Sequence, residues 1–172
     1  MAKKEEFELQ NGYSPDWTAI APLITEDNQA LLTKKFDGIQ AITVHPRVCA
    51  TNGLTVYTSV LTKRYKPIPN AYIRGQLEVL PPGFQGELTV GDGLNYQSTT
   101  SGVMKRDGEP DFIYTVFNFF GDGSEAYCNK SYVSRMIDAA KLLNEADHKG
   151  KFQIAQITVC ESFEEVQFAA EE

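Results

Sequence analysis

Apolar residues recur at helical spacing over one long stretch of the chain. In residues 129–146, Val133, Met136, Ile137, Ala140, Leu142 and Leu143 make a wide apolar face. Lys130, Ser134, Arg135, Asp138, Lys141 and Asn144 fall mostly off that face, and Asn129 is the candidate N-cap. Two shorter helices are expected nearer the start. Ser14-Pro15 reads as a helix entry, with Trp17, Ile20, Ala21 and Ile24 on one face and Pro22 limiting or kinking the helix. Residues 26–35 are expected to form the second, with Ala30, Leu31 and Phe36 turned inward.

Between these regions the period shortens to that of strands. Residues 39–44, 47–51 and 54–61 are β-rich, and Asn52-Gly53 between the last two is a hairpin signal because both residues tolerate positive φ. Further strands are expected at 76–80, 86–90, 94–99 and 102–105, and at the aromatic run 112–120. Gly91-Asp92-Gly93 and Gly121-Asp122-Gly123 mark tight turns. Residues 152–160 and 165–169 complete the pattern as two closing strands. It predicts an α+β fold, mostly antiparallel sheet, with one long helix in the C-terminal half and one or two short N-terminal helices. The 172 residues suit a single domain, with residues 1–6 a charged, disordered tail.

Charge narrows the function classes. With 16 basic and 23 acidic side chains the formal net charge is −7, which excludes a strongly basic nucleic-acid binder but not one whose cations gather on one face. Cys49, Cys128 and Cys160 are odd in number and far apart, which argues for reduced thiols and a cytoplasmic setting. The start of the chain lacks an apolar core for a signal peptide, and no apolar run is long enough for a membrane span.

No nucleophile elbow, phosphate-binding P-loop or dinucleotide fingerprint is present, and His45 and His148 stand apart from any metal-like cluster. The alternating Asp107, Glu109 and Asp111 lack the glycine and distal glutamate of a calcium loop and suit a solvated turn. No catalytic residue, metal or cofactor is therefore expected. The cations carry more information. Lys130, Arg135 and Lys141 are placed to line one side of the 129–146 helix and to contact phosphates, with Lys34 and Lys35 as a second group. Lys63, Arg64 and Lys66 form a further basic cluster.

Two segments resemble a domain of the bacterial sliding clamps. Gly38–Val44 followed by Arg47–Tyr57, with its Ala50-Thr51-Asn52-Gly53, is similar to a clamp strand pair, with Asn52 where the family has Asp. Tyr127–Ala140 resembles the entry and helix of a clamp domain's second half. Gln76-Leu77-Glu78-Val79-Leu80 is similar to the peptides that dock on such clamps. The resemblance implies helices backed by antiparallel sheet and a non-enzymatic DNA-replication accessory. Double-stranded DNA, held through phosphates, replication proteins and self-association are then the expected partners. The competing reading is a small acidic interaction or inhibitor module, of a viral or mobile-element type, without DNA.

Overall fold

The computed structural model describes residues 17–45, 59–91, 96–146 and 150–171. Along the chain these form α1 (Trp17–Ile20), a 3-10 turn (Ala21–Leu23), β1 (Ala30–Thr33), β2 (Ile39–Val44), β3 (Ser59–Thr62), α2 (Ala71–Leu77) and β4 (Phe84–Val90). There follow α3 (Tyr96–Met104), β5 (Phe112–Phe119), α4 (Glu125–Cys128), α5 (Tyr132–Glu145), β6 (Phe152–Ile154), β7 (Ile157–Cys160) and α6 (Phe163–Glu171). The α+β class holds. The described residues divide into two compact units, one of residues up to Lys34 with those from Gln156 onward, the other Lys35–Ala155.

The larger unit is built on a five-stranded sheet of order β3-β2-β4-β5-β6. Its pairs are antiparallel except β5 with β6, which run parallel. Ile39, Ala41, Ile42, Leu88, Phe112, Tyr114 and Val116 are buried along the inner strands, which is why these runs read as continuously apolar rather than alternating. Helix α2 begins where the Asn70 side chain accepts the Ile73 N–H, and it buries Ile73 and Leu77. Helix α5 begins at Ser131, whose hydroxyl accepts the Ser134 N–H, and it buries Met136, Ala139 and Leu143.

Several local expectations change. Residues 94–99 and 102–105, expected as strands, contribute to the single helix α3, whose Thr99 and Val103 are buried at a spacing of one turn. Its Thr99 hydroxyl accepts the Val90 N–H at 3.0 Å, and a Cβ on Gly102 would press on the Val90 side chain at 3.0 Å. Tertiary packing on β4 thus overrides the β preference of the Thr-rich sequence. Residues 76–80 carry the end of α2 and the turn after it, so the docking-peptide likeness falls on a segment whose Leu77 and Leu80 are buried in the core. The N-cap expected at Asn129 is at Ser131, and Asn129 instead ends α4.

The smaller unit pairs β1 with β7 antiparallel, Ala30 opposite Cys160 and Thr33 opposite Ile157. Residues 26–35 were expected to be helical, yet they contain strand β1, while 165–169, expected as a strand, lie in α6 with Val166 buried. The expected strand over residues 152–160 divides between the units as β6 and β7. The Asn52-Gly53 hairpin, the run 47–51, most of 54–61, the Ser14-Pro15 entry, Cys49, His148 and Asp92-Gly93 lie outside the described residues.

Candidate active site

Strand register brings chemically active side chains to one end of β2. Residues Lys35 and Asp37 lead into the strand, and Gly38 stands where β2 approaches β4. A Cβ on Gly38 would overlap the Leu88 carbonyl oxygen and crowd the Glu87 side chain, so only glycine fits there. The Gly38 N–H donates to Glu87 Oε1 at 3.2 Å. From the other side β3 ends at Thr62, opposite Ala41, so the following turn with Lys63 falls at the same end of the sheet. That turn closes with the Thr62 N–H on the Lys66 carbonyl, and it holds Tyr65 at φ 56, left-handed for a non-glycine residue.

Burial pushes the half-buried Glu87 carboxyl from its ordinary 4.5 to about 7, while the Gly38 N–H, Lys63 and Lys35 pull it down and Asp37 pushes it up. Lys35 itself is 90% exposed and pairs with Asp37 at 3.2 Å. Beside the site Tyr114 is fully buried and donates its hydroxyl to the Ala41 carbonyl at 3.0 Å. Burial, and then the Glu87 charge, hold its phenol well above the usual range.

A polar row crosses the sheet from Glu87. Gln40 on β2 is opposite Glu87 on β4, Glu87 is opposite Thr115 on β5, and Thr115 is opposite Gln153 on β6. Directly opposed residues project to the same face. The row therefore runs from the cationic end of β2 to the open edge at β6, and the Gln153 amide donates to the Thr115 hydroxyl at 2.9 Å.

No protein-family model matches the sequence, and no curated protein matches it. Solved structures do. The Chlorella virus DNA ligase-adenylate matches with a TM-score of 0.60 and 24% identity over 82% of this chain and 48% of the ligase chain. A second structure of the same viral ligase-adenylate gives a TM-score of 0.59 and 25% identity over the same shares. The ATP-dependent DNA ligase of bacteriophage T7 in complex with ATP gives 0.58 at 14% identity, over 88% of this chain and 55% of that one. The chain shares a DNA-ligase fold. It spans about half the length of these ligases, 48% and 55%.

That finding overturns the sliding-clamp resemblance and, with it, the expectation of a non-enzymatic accessory, because the structures sharing the fold are enzymes. The clamp-like segments have other places in a ligase-like architecture. Gly38–Val44 enters an inner strand of a mixed sheet, and Tyr127–Ala140 is broken into α4 and α5 by the Ser131 cap. Ala50-Thr51-Asn52-Gly53 lies outside the described residues.

The cations singled out in the sequence separate into different environments. Lys130 donates to Asp138 at 3.1 Å and sits 4.2 Å from the centre of the Tyr127 ring. The Arg135 guanidinium donates to the Cys128 and Lys130 carbonyls and to Asn118, and its buried Nε has no partner among the described residues. Lys141 is exposed on α5, beside a cavity of about 500 Å³ that Tyr127, Asp138 and Leu142 also line. Lys34 is exposed at the end of the smaller unit, whereas Lys35 opens the larger one beside Glu87. Sequence reasoning passed over Glu87 and Gln153. The Gly38 and Gly86-Glu87 spacings offered no helical or metal-like pattern, and the site exists only through strand pairing. Among the described residues no group of three or more His, Cys, Asp or Glu could hold a metal ion, and no helix is long and apolar enough to cross a membrane.

Proposed function

We propose that the chain is the nucleotide-accepting part of a DNA-ligase-like enzyme and that Lys35 takes up AMP from ATP. The observation that carries this reading is the strand register that brings Lys35, Lys63 and Glu87 to one end of the sheet beside Gly38, in a fold shared with a ligase-adenylate and with a ligase bound to ATP. An amine is a competent nucleophile once it has lost its proton. The neutral Lys35 Nζ attacks the α-phosphorus of ATP, a P–N bond forms, the bond to the β-phosphate oxygen breaks and pyrophosphate leaves. Asp37, whose carboxylate accepts from Lys35 Nζ at 3.2 Å, is placed to take the amine proton, while Lys63 at the same end of the sheet offers charge to the phosphates. The AMP so held can then be passed to a DNA phosphate.

Lys35 is favoured over Lys63 as nucleophile because it leads directly into β2, next to the Gly38 position that keeps the strand crossing open. DNA is the proposed second substrate, approached through exposed cations, of which Lys34 and Lys141 have no ion pair among the described residues. The test is incubation of the whole chain with ATP and magnesium, followed by intact mass and peptide mapping. Gain of one AMP on Lys35, lost in Lys35→Ala and retained at reduced rate in Lys63→Ala, is the expected result. Labelling at another residue would remove Lys35 from the role.

A further inference from the structure

The polar row across the sheet gives a direction to any nucleotide held at Lys35. By strand register its cationic end is at Lys35 and Lys63, which precede β2 and follow β3, and its far end is at β6. Each strand adds about 4.8 Å, so Gln153 stands roughly 10 Å beyond Glu87, on the side away from the cations. A nucleotide with its phosphates at the cationic end would have its sugar over Glu87 and its base toward β5 and β6.

Gln153 is unusual in that row. It is exposed on an edge strand, while Thr115 beside it is 1% exposed. One amide hydrogen of Gln153 is fixed on the Thr115 hydroxyl. The carbonyl oxygen and the second amide hydrogen have no other partner among the described residues. A fixed carboxamide offers one acceptor and one donor side by side. That pair matches the N6 amino group and N7 of adenine and mismatches the O6 and N7 acceptors of guanine.

We propose that Gln153 is a specificity-determining residue that selects an adenine base, with Thr115 as the positioning residue that orients its amide. This rests on the proposed nucleotide transfer at Lys35 and adds to it the residue that reads the base and the direction in which the nucleotide lies. Neither side chain takes part in the covalent step.

The experiment is calorimetric titration of the whole chain with ATP and with GTP, paired with the Lys35 labelling assay. The parent should bind ATP at least about fivefold more tightly than GTP, the lower end of one bidentate contact. Gln153→Ala should bring ATP down to the GTP level and leave GTP unchanged. Thr115→Val should lower the ATP to GTP ratio in the same direction, which a merely structural role would not do. An unchanged ratio in Gln153→Ala overturns the proposal. Equal ATP and GTP binding by a parent that still labels Lys35 overturns base selection while leaving Lys35 in place. A parent that neither binds nor labels overturns both.

Discussion

Two clusters of charge in the larger unit are built from similar residues and do different things. Around α4 and α5, Asp138 accepts from both the Tyr127 hydroxyl and Lys130, and the hydrogen bonds from Lys130 and then Tyr127 hold its carboxyl below the usual range. Burial, and next the bond to Asp138, push the Tyr127 phenol up to about 12. Arg135 closes the same region by binding backbone carbonyls at the end of α4. Most donors and acceptors there are engaged within the cluster, the buried Arg135 Nε excepted, so the cluster ties α4 to α5. At the start of β2 the opposite holds. Among the described residues Glu87 accepts one backbone N–H, and burial raises its carboxyl to about 7 against the pull of that N–H and of Lys63 and Lys35. A satisfied cluster stabilises a fold, whereas an unsatisfied one leaves capacity for a ligand.

The comparison breaks most severely at Lys35. Lys35→Ala should lower AMP uptake by on the order of 10⁴ or more, as expected when a nucleophile is removed, with little change in melting temperature because the side chain is 90% exposed. The reverse pattern belongs to the α5 cluster. Arg135→Leu should cost about 1.5–3 kcal/mol of stability, the range for hydrogen bonds to a charged group, with AMP uptake per folded molecule unchanged. Chemical denaturation and the labelling assay, run on both variants, read the two outcomes. A catalytic loss in Arg135→Leu without destabilisation would move that residue from scaffold to site.

Glu87 links the two kinds of behaviour because its burial has a thermodynamic consequence. A carboxyl whose pKa rises from 4.5 to about 7 on folding binds its proton more tightly in the folded chain. Stability is then greatest below the unfolded value and falls as pH climbs from 4.5 through about 7, levelling above it. Glu87→Gln mimics the neutral acid and lacks that slope. The melting temperature of the variant minus that of the parent should therefore rise across this window. A flat difference would show that Glu87 keeps an ordinary pKa and that its surroundings are wetter than its half-buried position indicates.

How far this was legible in the sequence differs by region for physical reasons. Residues 39–44 and the aromatic run near 112–119 are strands as expected, because inner strands buried on both faces give long apolar runs. The long helix was clear from its apolar face, although its cap lies at Ser131 rather than Asn129. Helix α3 was not legible, since Thr99, Thr100 and Val103 favour strands locally and only packing on β4 decides otherwise. The site was partly visible. Lys35 was singled out for its charge, but its neighbour Glu87 is 52 positions away in sequence and reaches it by β2–β4 register alone. The contact with Gly38 gave no signal at all, because a glycine required by close approach looks in sequence like any glycine of a turn.

The smallest expected effect tests whether the second cluster also meets DNA. Lys141 is the one cation of its trio whose ammonium has no hydrogen bond or ion pair among the described residues. Lys130 is drawn onto Asp138 and the Tyr127 ring, and Arg135 is committed to carbonyls, so neither can reach a phosphate without giving up a structural bond. Lys141→Ala should leave stability within about 0.5 kcal/mol, as for other surface changes. If Lys141 touches a phosphate, the variant should weaken duplex binding equally for all sequences and reduce the slope of log affinity against log salt by about 1. Neighbouring Asp138 and Glu145 oppose that contact, so the loss should be modest and largest at low salt, where screening is weakest. An unchanged salt slope would place DNA away from α5 and confine ligand contact to the Lys35 end of the sheet.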